Sequence, residues 1–349
     1  MDILSMTPEE IEGAFKENSI PRFRARQVFD WLHNKFVLSY DEMTNLPKDM
    51  RALLAREFPI TACRPEKVRV SKDGTRKILF SLCDGDYIES VVMKYKYGLS
   101  ICVSSQVGCK MGCAFCASTI GGFKRSLTPG EILSQVYIAE KEAGERISHI
   151  VLMGMGEPLD NFDNVMRFLS LVTDERGKGL SMRNISLSTC GIVPGIKKLM
   201  EKHLQLTLSV SLHAPNDGIR NRIMPISRRY DMDTLLKACR EYSETTSRRI
   251  SYEYAMLSGI NDSEECAAEL ASKLRGTLCH VNLIPVNEVD GSPFRPSDPE
   301  TVKKFCEKLE KAGVTATVRR KLGSDIEASC GQLRQKTNKE RGSENAPCS

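Results

Sequence analysis

From residue 99 onward, short apolar runs rich in β-branched residues alternate with longer stretches of helical periodicity. This alternation limits the folds open to the chain more than any other feature. Strands are expected over 99–104, 147–153, 184–188, 206–212, 250–256, 281–285 and 315–318. Helices are expected over 129–143, 164–173, 233–245, 263–274 and 299–312, the first opened by the capping box Thr128-Pro129-Gly130-Glu131. Strands separated by helices of this length pair in parallel, because a parallel neighbour is reached only through a crossover. The fold class is therefore α/β, with a parallel sheet that is either barrel-like or doubly wound. In both arrangements functional groups gather just past the C-terminal ends of the strands.

The first 62 residues read as a helical unit. Thr7-Pro8-Glu9-Glu10 has the form of a capping box, with proline in the first helical turn, and Ile11 and Phe15 follow one turn apart. A second helix is expected over 23–36, with Val28, Phe29, Leu32 and Phe36 at helical spacing, and a third over 49–58. A β-hairpin extension follows over 63–96, with strands at 67–70, 77–82 and 87–94. The turns Lys72-Asp73-Gly74 and Asp84-Gly85-Asp86 divide them. The core then spans 97–333. The tail over 334–349 is polar and aperiodic, so disorder is expected there.

A chain of 349 residues can bury a large core without disulfide staples, so its 13 cysteines call for another account. The N-terminus has neither a basic segment nor an apolar one, and no run approaches the roughly 20 apolar residues of a membrane span. A cytoplasmic protein without a membrane partner is expected. Three of the cysteines lie together in Cys109-Lys110-Met111-Gly112-Cys113-Ala114-Phe115-Cys116, directly after the first core strand. A structural zinc site wants four protein ligands, and no fourth Cys or His follows at finger spacing. A distant cysteine completing such a site stays open as an alternative. Three thiolates suit a 4Fe–4S cluster with one iron left free to bind a small molecule.

This spacing resembles that of the radical S-adenosylmethionine (SAM) superfamily. Further segments are similar to the RlmN/Cfr family of radical SAM RNA methyltransferases. They are Ser104-Ser105-Gln106-Val107-Gly108-Cys109, Met153-Gly154-Met155-Gly156-Glu157-Pro158, Ser186-Leu187-Ser188-Thr189, Ser211-Leu212-His213-Ala214, Asn282-Leu283-Ile284-Pro285-Val286-Asn287 and Ala328-Ser329-Cys330-Gly331-Gln332-Leu333. The resemblance implies a partial (βα)6 barrel of TIM type, preceded by a helical accessory domain. It makes Cys109, Cys113 and Cys116 the cluster ligands. Gly156, Glu157, Ser188, Ser211, Leu212, His213 and Asn287 become SAM-binding positions.

By the same resemblance Cys330 first accepts a methyl group from one SAM. A second SAM, cleaved at the cluster, gives a 5′-deoxyadenosyl radical that takes hydrogen from the S-methyl group. The carbon radical adds to C2 of an adenine, Glu89 removes the C2 proton, and Cys102 attacks Cys330 to release the product with a transient disulfide. The implied substrates are adenosine 2503 of 23S rRNA and adenosine 37 of some tRNAs. An external one-electron reductant such as flavodoxin is also implied, and a monomer is expected. Pro158 sides with the C2 branch of the family rather than the C8 branch. The alternatives are C8 methylation of the same rRNA adenine, and a non-catalytic RNA-binding protein with a structural metal centre.

Taken without the resemblance, the same residues read more plainly. Cys102 is a core residue in an apolar strand, Glu89 a solvated hairpin carboxylate, His213 a satisfied structural histidine, and Gly156 part of a tight turn. Cys63, Cys83, Cys190, Cys239, Cys266, Cys279, Cys306 and Cys348 fit no ligand spacing, although Cys190 adjoins the expected cofactor pocket. Residues 1–60 carry a net charge of −2 within a chain of net +5, so the excess positive charge lies in the remainder. Clusters such as Arg228/Arg229, Arg248/Arg249 and Arg319/Arg320/Lys321 permit RNA binding without demonstrating it.

Overall fold

The computed structural model describes residues 2–286, 293–326 and 328. Helices α1 (Pro8–Glu17), α2 (Arg22–His33) and α3 (Lys48–Glu57) open the chain. The expected capping box closes α1 on both sides: the Glu10 amide donates to Thr7 Oγ1 at 3.3 Å, and the Thr7 amide to Glu10 Oε2 at 2.8 Å. Helix α2 stops at His33, short of the expected Phe36. Phe36 instead takes a left-handed backbone conformation (φ 54°) and stacks on Tyr137, with ring centroids 4.4 Å apart. Its helical spacing was coincidental, and a tertiary contact decided the boundary.

The antiparallel strands β1 (Arg64–Val70), β2 (Arg76–Ser81) and β3 (Tyr87–Tyr95) lead into β4 (Gly98–Cys102). A small ribbon of β5 (Gln106–Val107) and β6 (Arg125–Ser126) precedes α4 (Pro129–Ala143). Alternation follows: β7 (Ile147–Leu152), α5 (Phe162–Thr173), β8 (Ile185–Thr189), α6 (Val193–Met200), β9 (Thr207–Ser211), α7 (Asp217–Ile223) and α8 (Met232–Thr246). The chain continues through β10 (Ile250–Met256), α9 (Glu264–Leu274), β11 (Cys279–Pro285), α10 (Pro299–Lys311) and β12 (Ala316–Val318).

All strands but the ribbon form one ten-stranded sheet in the order β1-β2-β3-β4-β7-β8-β9-β10-β11-β12. From β4 to β12 every pairing is parallel, and β1 and β12 are the two open edges. The result is a partial barrel of strand–helix units, as expected. The hairpin strands continue its sheet, since β3 pairs with β4 in a register that sets Val91 opposite Cys102. The expected strand over 250–256 is found unchanged, and the other core strands shift by at most two residues. Helices α6 and α7 and the ribbon were not expected from sequence. With 8 and 7 residues, the two helices are too short to show a repeating apolar stripe. The tail over 334–349 lies outside the described residues. Among the described residues no helix is long and apolar enough to cross a membrane.

The N-terminal unit packs on α4 through residues 2–5 and through His33 of α2. Gly130 is required there because a Cβ would collide with the Asp2 carboxylate, and its amide donates to Ser5 Oγ at 2.9 Å. His33 lies buried in this interface, its Nδ1 2.9 Å from the Tyr137 hydroxyl and its Nε2 without a hydrogen-bond partner. Burial pulls its pKa from the ordinary 6.5 down to about 3. The folded state therefore holds neutral histidine where the unfolded state binds a proton. The stability contribution is complete above pH 6.5 and is lost as pH falls toward 3. Acidification from pH 7 to 5 is expected to lower unfolding stability, with a slope approaching about 1.4 kcal/mol per pH unit from this residue below its unfolded pKa. His33→Phe should flatten that dependence in denaturant titrations; an unchanged slope would contradict the assignment.

Candidate active site

The C-terminal ends of the parallel strands and the loop after β5 enclose a cavity of about 380 Å³. The sequence shapes the loop through two glycines. Gly108 (φ 74°) crosses so close to Gly122 that a Cβ would strike the Gly122 carbonyl, and the Lys124 amide returns to the Val107 carbonyl at 2.9 Å. Within this loop the Cys116 amide donates to the Cys113 carbonyl at 3.1 Å, and Thr119 Oγ1 donates to the Cys116 carbonyl at 2.8 Å. Helix α7 supports it from below, through the Ala114 amide and the Ile223 carbonyl at 2.9 Å.

Cys109, Cys113 and Cys116 all line the cavity. Burial raises the Cys109 thiol to about 11, and burial together with its two neighbouring thiols raises Cys113 further. Such thiols ionise only against a strong positive charge, which a bound metal centre supplies. Among the described residues no three His, Cys, Asp or Glu side chains stand close enough to hold a single ion. Three thiols lining one cavity are a donor set that suits an iron–sulfur cluster with one iron left open.

Of the expected SAM positions, Gly156, Glu157, Ser188, Ser211 and His213 line the same cavity. Gly156 (φ 103°) passes against Gln106, where a Cβ would lie 2.6 Å from the Gln106 side chain. Glu157 is buried; its Oε2 accepts from the Cys190 amide at 2.7 Å and its Oε1 from the Leu159 amide at 3.1 Å. Burial raises its pKa against these hydrogen bonds. His213 occupies the left-handed region (φ 55°), and its Nδ1 accepts from the Ala255 amide at 2.9 Å. Burial lowers its pKa to about 3, so the ring is neutral and carries its proton on Nε2. Phe115 of the cysteine loop meets this ring edge-on, with centroids 4.8 Å apart. Leu212 is fully buried and absent from the cavity wall; its backbone amide donates to the Glu253 carbonyl at 3.0 Å.

Cys102 ends β4 with its side chain in the cavity wall, packed with Val91, Met93, Leu322 and Ala328. Glu89 shares the Val91 and Met93 face of β3 through strand alternation. The solvated reading of this carboxylate is wrong. Its side chain is 4% exposed and lies 3.5 Å from Lys77 Nζ, itself 1% exposed. Glu89 is not among the cavity-lining residues. Asn287 and Cys330 lie outside the described residues. Ala328, two positions before Cys330 in the chain, does line the cavity.

Two site residues escaped the sequence reading. Glu253 on β10 lines the cavity and is buried, accepting from Asn282 Nδ2 at 2.7 Å and Ser251 Oγ at 3.1 Å; burial raises its pKa. A lone carboxylate inside the apolar run of β10 was the available signal. Arg220 on α7 is fully buried and ties strand ends together, donating from Nη2 to the Cys190 carbonyl (2.8 Å) and the Ser211 carbonyl (3.2 Å), and from Nε to the Leu212 carbonyl (3.2 Å). Its Nη1 is buried without a hydrogen-bond partner, and Cys113 and Cys190 are among the groups whose charge it feels. A buried guanidinium beside the thiols suits the net negative charge of a thiolate-bound cluster. No sequence signal marked it, because α7 itself was not anticipated.

The model of the radical SAM superfamily matches residues 103–271, and that of the ribosomal RNA large subunit methyltransferase N-terminal domain matches residues 1–60. Fold and cavity together define a radical SAM enzyme, a class that works with a 4Fe–4S cluster and SAM. A probable dual-specificity RNA methyltransferase RlmN from Clostridium perfringens is 52% identical over 344 residues, covering 98% of this chain and 99% of the relative. One of the same description from Clostridium novyi is 51% identical over 335 residues, covering 96% and 98%. The crystal structure of a radical SAM methyltransferase from Sphaerobacter thermophilus superposes with a TM-score of 0.92 at 44% identity, covering 95% of this chain and 98% of that one. The chain belongs to the RlmN family and is a SAM-dependent radical methyltransferase.

Proposed function

We propose that the protein methylates C2 of adenine in RNA, at adenosine 2503 of 23S rRNA and adenosine 37 of some tRNAs, with Cys330 as methyl carrier and Cys102 as resolving thiol. The observation that carries this reading is that one cavity joins three groups. They are the cysteine triplet, the Cys102 side chain, and Leu322 and Ala328 of the segment entering Cys330. Cys109, Cys113 and Cys116 would hold the cluster, and Gly156, Glu157, Ser188, Ser211 and His213 would line the SAM site; the family resemblance adds Leu212 and Asn287 to that set. Bound there, cluster and SAM supply a reducing electron and a carbon-centred radical.

The protein's own groups do the rest. Adenine C2 is electron-poor and does not attack a methyl sulfonium, so one of the two SAM molecules used per turnover would give its methyl group to the Cys330 sulfur, and that carbon, after losing a hydrogen atom, would bond to C2 while still attached to the sulfur. The Cys102 thiolate then attacks that sulfur, so that the carbon–sulfur bond breaks, a disulfide forms and the methyl carbon left on the RNA takes up a proton. Restoring the two thiols takes two electrons from outside, and a one-electron reductant of the flavodoxin type would feed the cluster. Glu89, on the cavity face of β3, accepts the C2 proton. Arg319, Arg320 and Lys321 line the cavity and are suited to RNA phosphates. The acidic helical unit over 1–60 offers no comparable charge. A cytoplasmic location accords with working thiols that must return to the reduced state.

Mass spectrometry of RNA from cells lacking the protein tests the position. Loss of 2-methyladenosine from 23S rRNA and tRNA is expected. Loss of an 8-methyl mark with the 2-methyl mark intact would establish the C8 reading instead.

A further inference from the structure

After β12 the chain does not follow the outside of the barrel. Residues 319–326 leave the β12 edge and reach the turn between β1 and β2, at the opposite edge of the same sheet. On the way Arg319, Arg320, Lys321, Leu322, Ser324 and then Ala328 line the cavity, so the segment forms a strap across the barrel mouth.

The strap is fastened at the far edge by a specific set of bonds. The Ser71 hydroxyl donates to Asp325 Oδ1 at 2.5 Å, and the Lys72 amide donates to Asp325 Oδ2 at 3.2 Å. In return the Gly323 amide donates to Asp73 Oδ2 at 2.8 Å. Asp73 serves both sides, because its Oδ1 accepts from the Thr75 amide of its own turn at 2.9 Å. A hairpin turn needs only that local bond. Gly323 lies in the left-handed region (φ 62°), and a Cβ there would come within 2.9 Å of Thr75 Cγ2 and 2.7 Å of Ala328 Cβ. Beyond the fastening, Leu322 and Ala328 pack on Val91, Met93 and Cys102.

We propose that Asp73 and Asp325 are positioning residues: the β1–β2 turn is a dock that anchors the strap and so holds the segment that runs on in sequence to Cys330 at the barrel mouth, with Leu322 and Ala328 packed beside Cys102. The inference rests on the thiol roles proposed above and adds a purpose for the hairpin extension. Without the dock, the strap ahead of Cys330 would be held only at β12 and by the packing of Leu322 and Ala328. Misplacing a reacting group by about 1 Å can already cost on the order of a hundredfold in rate.

The test compares wild type with the pair Asp73→Ala/Asp325→Ala and the milder pair Asp73→Asn/Asp325→Asn, all as reconstituted full-length protein. Single-turnover RNA methylation is read beside iron content, RNA KM and 5′-deoxyadenosine release. The alanine pair is expected to lose at least about tenfold in the methylation rate, with iron content, KM and 5′-deoxyadenosine release retained. The asparagine pair, which keeps an acceptor at each site, should fall between. If the alanine pair does not fold, the asparagine pair decides alone, with a loss of about threefold or more expected. Rates equal to wild type in the folded variants would overturn the dock while leaving the thiol chemistry intact. A wild type that cleaves SAM but methylates no RNA would overturn the underlying reading, and this one with it.

Discussion

Cys102→Ala is expected to leave RNA covalently joined to the protein through Cys330, with no more than a single RNA processed per enzyme. The carbon bond to the RNA forms before the resolving thiol acts, so its removal stops the sequence after crosslinking rather than before. The substitution is mild structurally. Cys102 is 7% exposed at the end of β4, where alanine keeps the strand and removes only one sulfur from the cluster of Val91 and Met93. A stability loss of about 1 kcal/mol is expected, too small to explain loss of turnover. Denaturing electrophoresis of labelled RNA would show the adduct, and Cys102→Ala/Cys330→Ala should abolish it. Normal multiple turnover by Cys102→Ala would remove the resolving role.

Lys77→Met is expected to destabilise the protein by about 3–5 kcal/mol, because it leaves a carboxylate buried without the cation that faces it. Lys77 and Glu89 side chains are 1% and 4% exposed and stand 3.5 Å apart on neighbouring strands of the extension. Both side chains are nearly excluded from solvent, so water compensates little for the lost cation. Replacing both partners, as in Lys77→Met/Glu89→Leu, should recover most of the stability without recovering activity. Denaturant unfolding measures the first effect. A change below about 1 kcal/mol for Lys77→Met would mean the pair behaves like a surface ion pair.

The fold was largely legible in the sequence because its signals are local. Proline and threonine at helix starts, and apolar runs between helices, mark α4, β10 and α10 without knowledge of the tertiary structure. What was missed depends on long-range contacts. Phe36 looked helical but stacks on Tyr137, and Glu89 looked solvated but lies against Lys77 across the hairpin. Arg220 and α7 were invisible because a seven-residue helix has no period to read. For the site, the cysteine spacing announced a metal centre, and strand-end positions announced a pocket. The meeting of Cys102 with the strap from β12 has no local signal, because the bonds that hold the strap join residues such as Asp73 and Gly323, 250 positions apart.

The coupling of radical SAM chemistry to RNA methylation is centred on this cavity. Its most direct test is anaerobic reconstitution with iron and sulfide, followed by SAM, dithionite and either a 23S rRNA fragment or tRNA. Formation of 5′-deoxyadenosine together with RNA carrying 2-methyladenosine is the predicted result. A protein that carries its full iron complement yet yields neither product would contradict it.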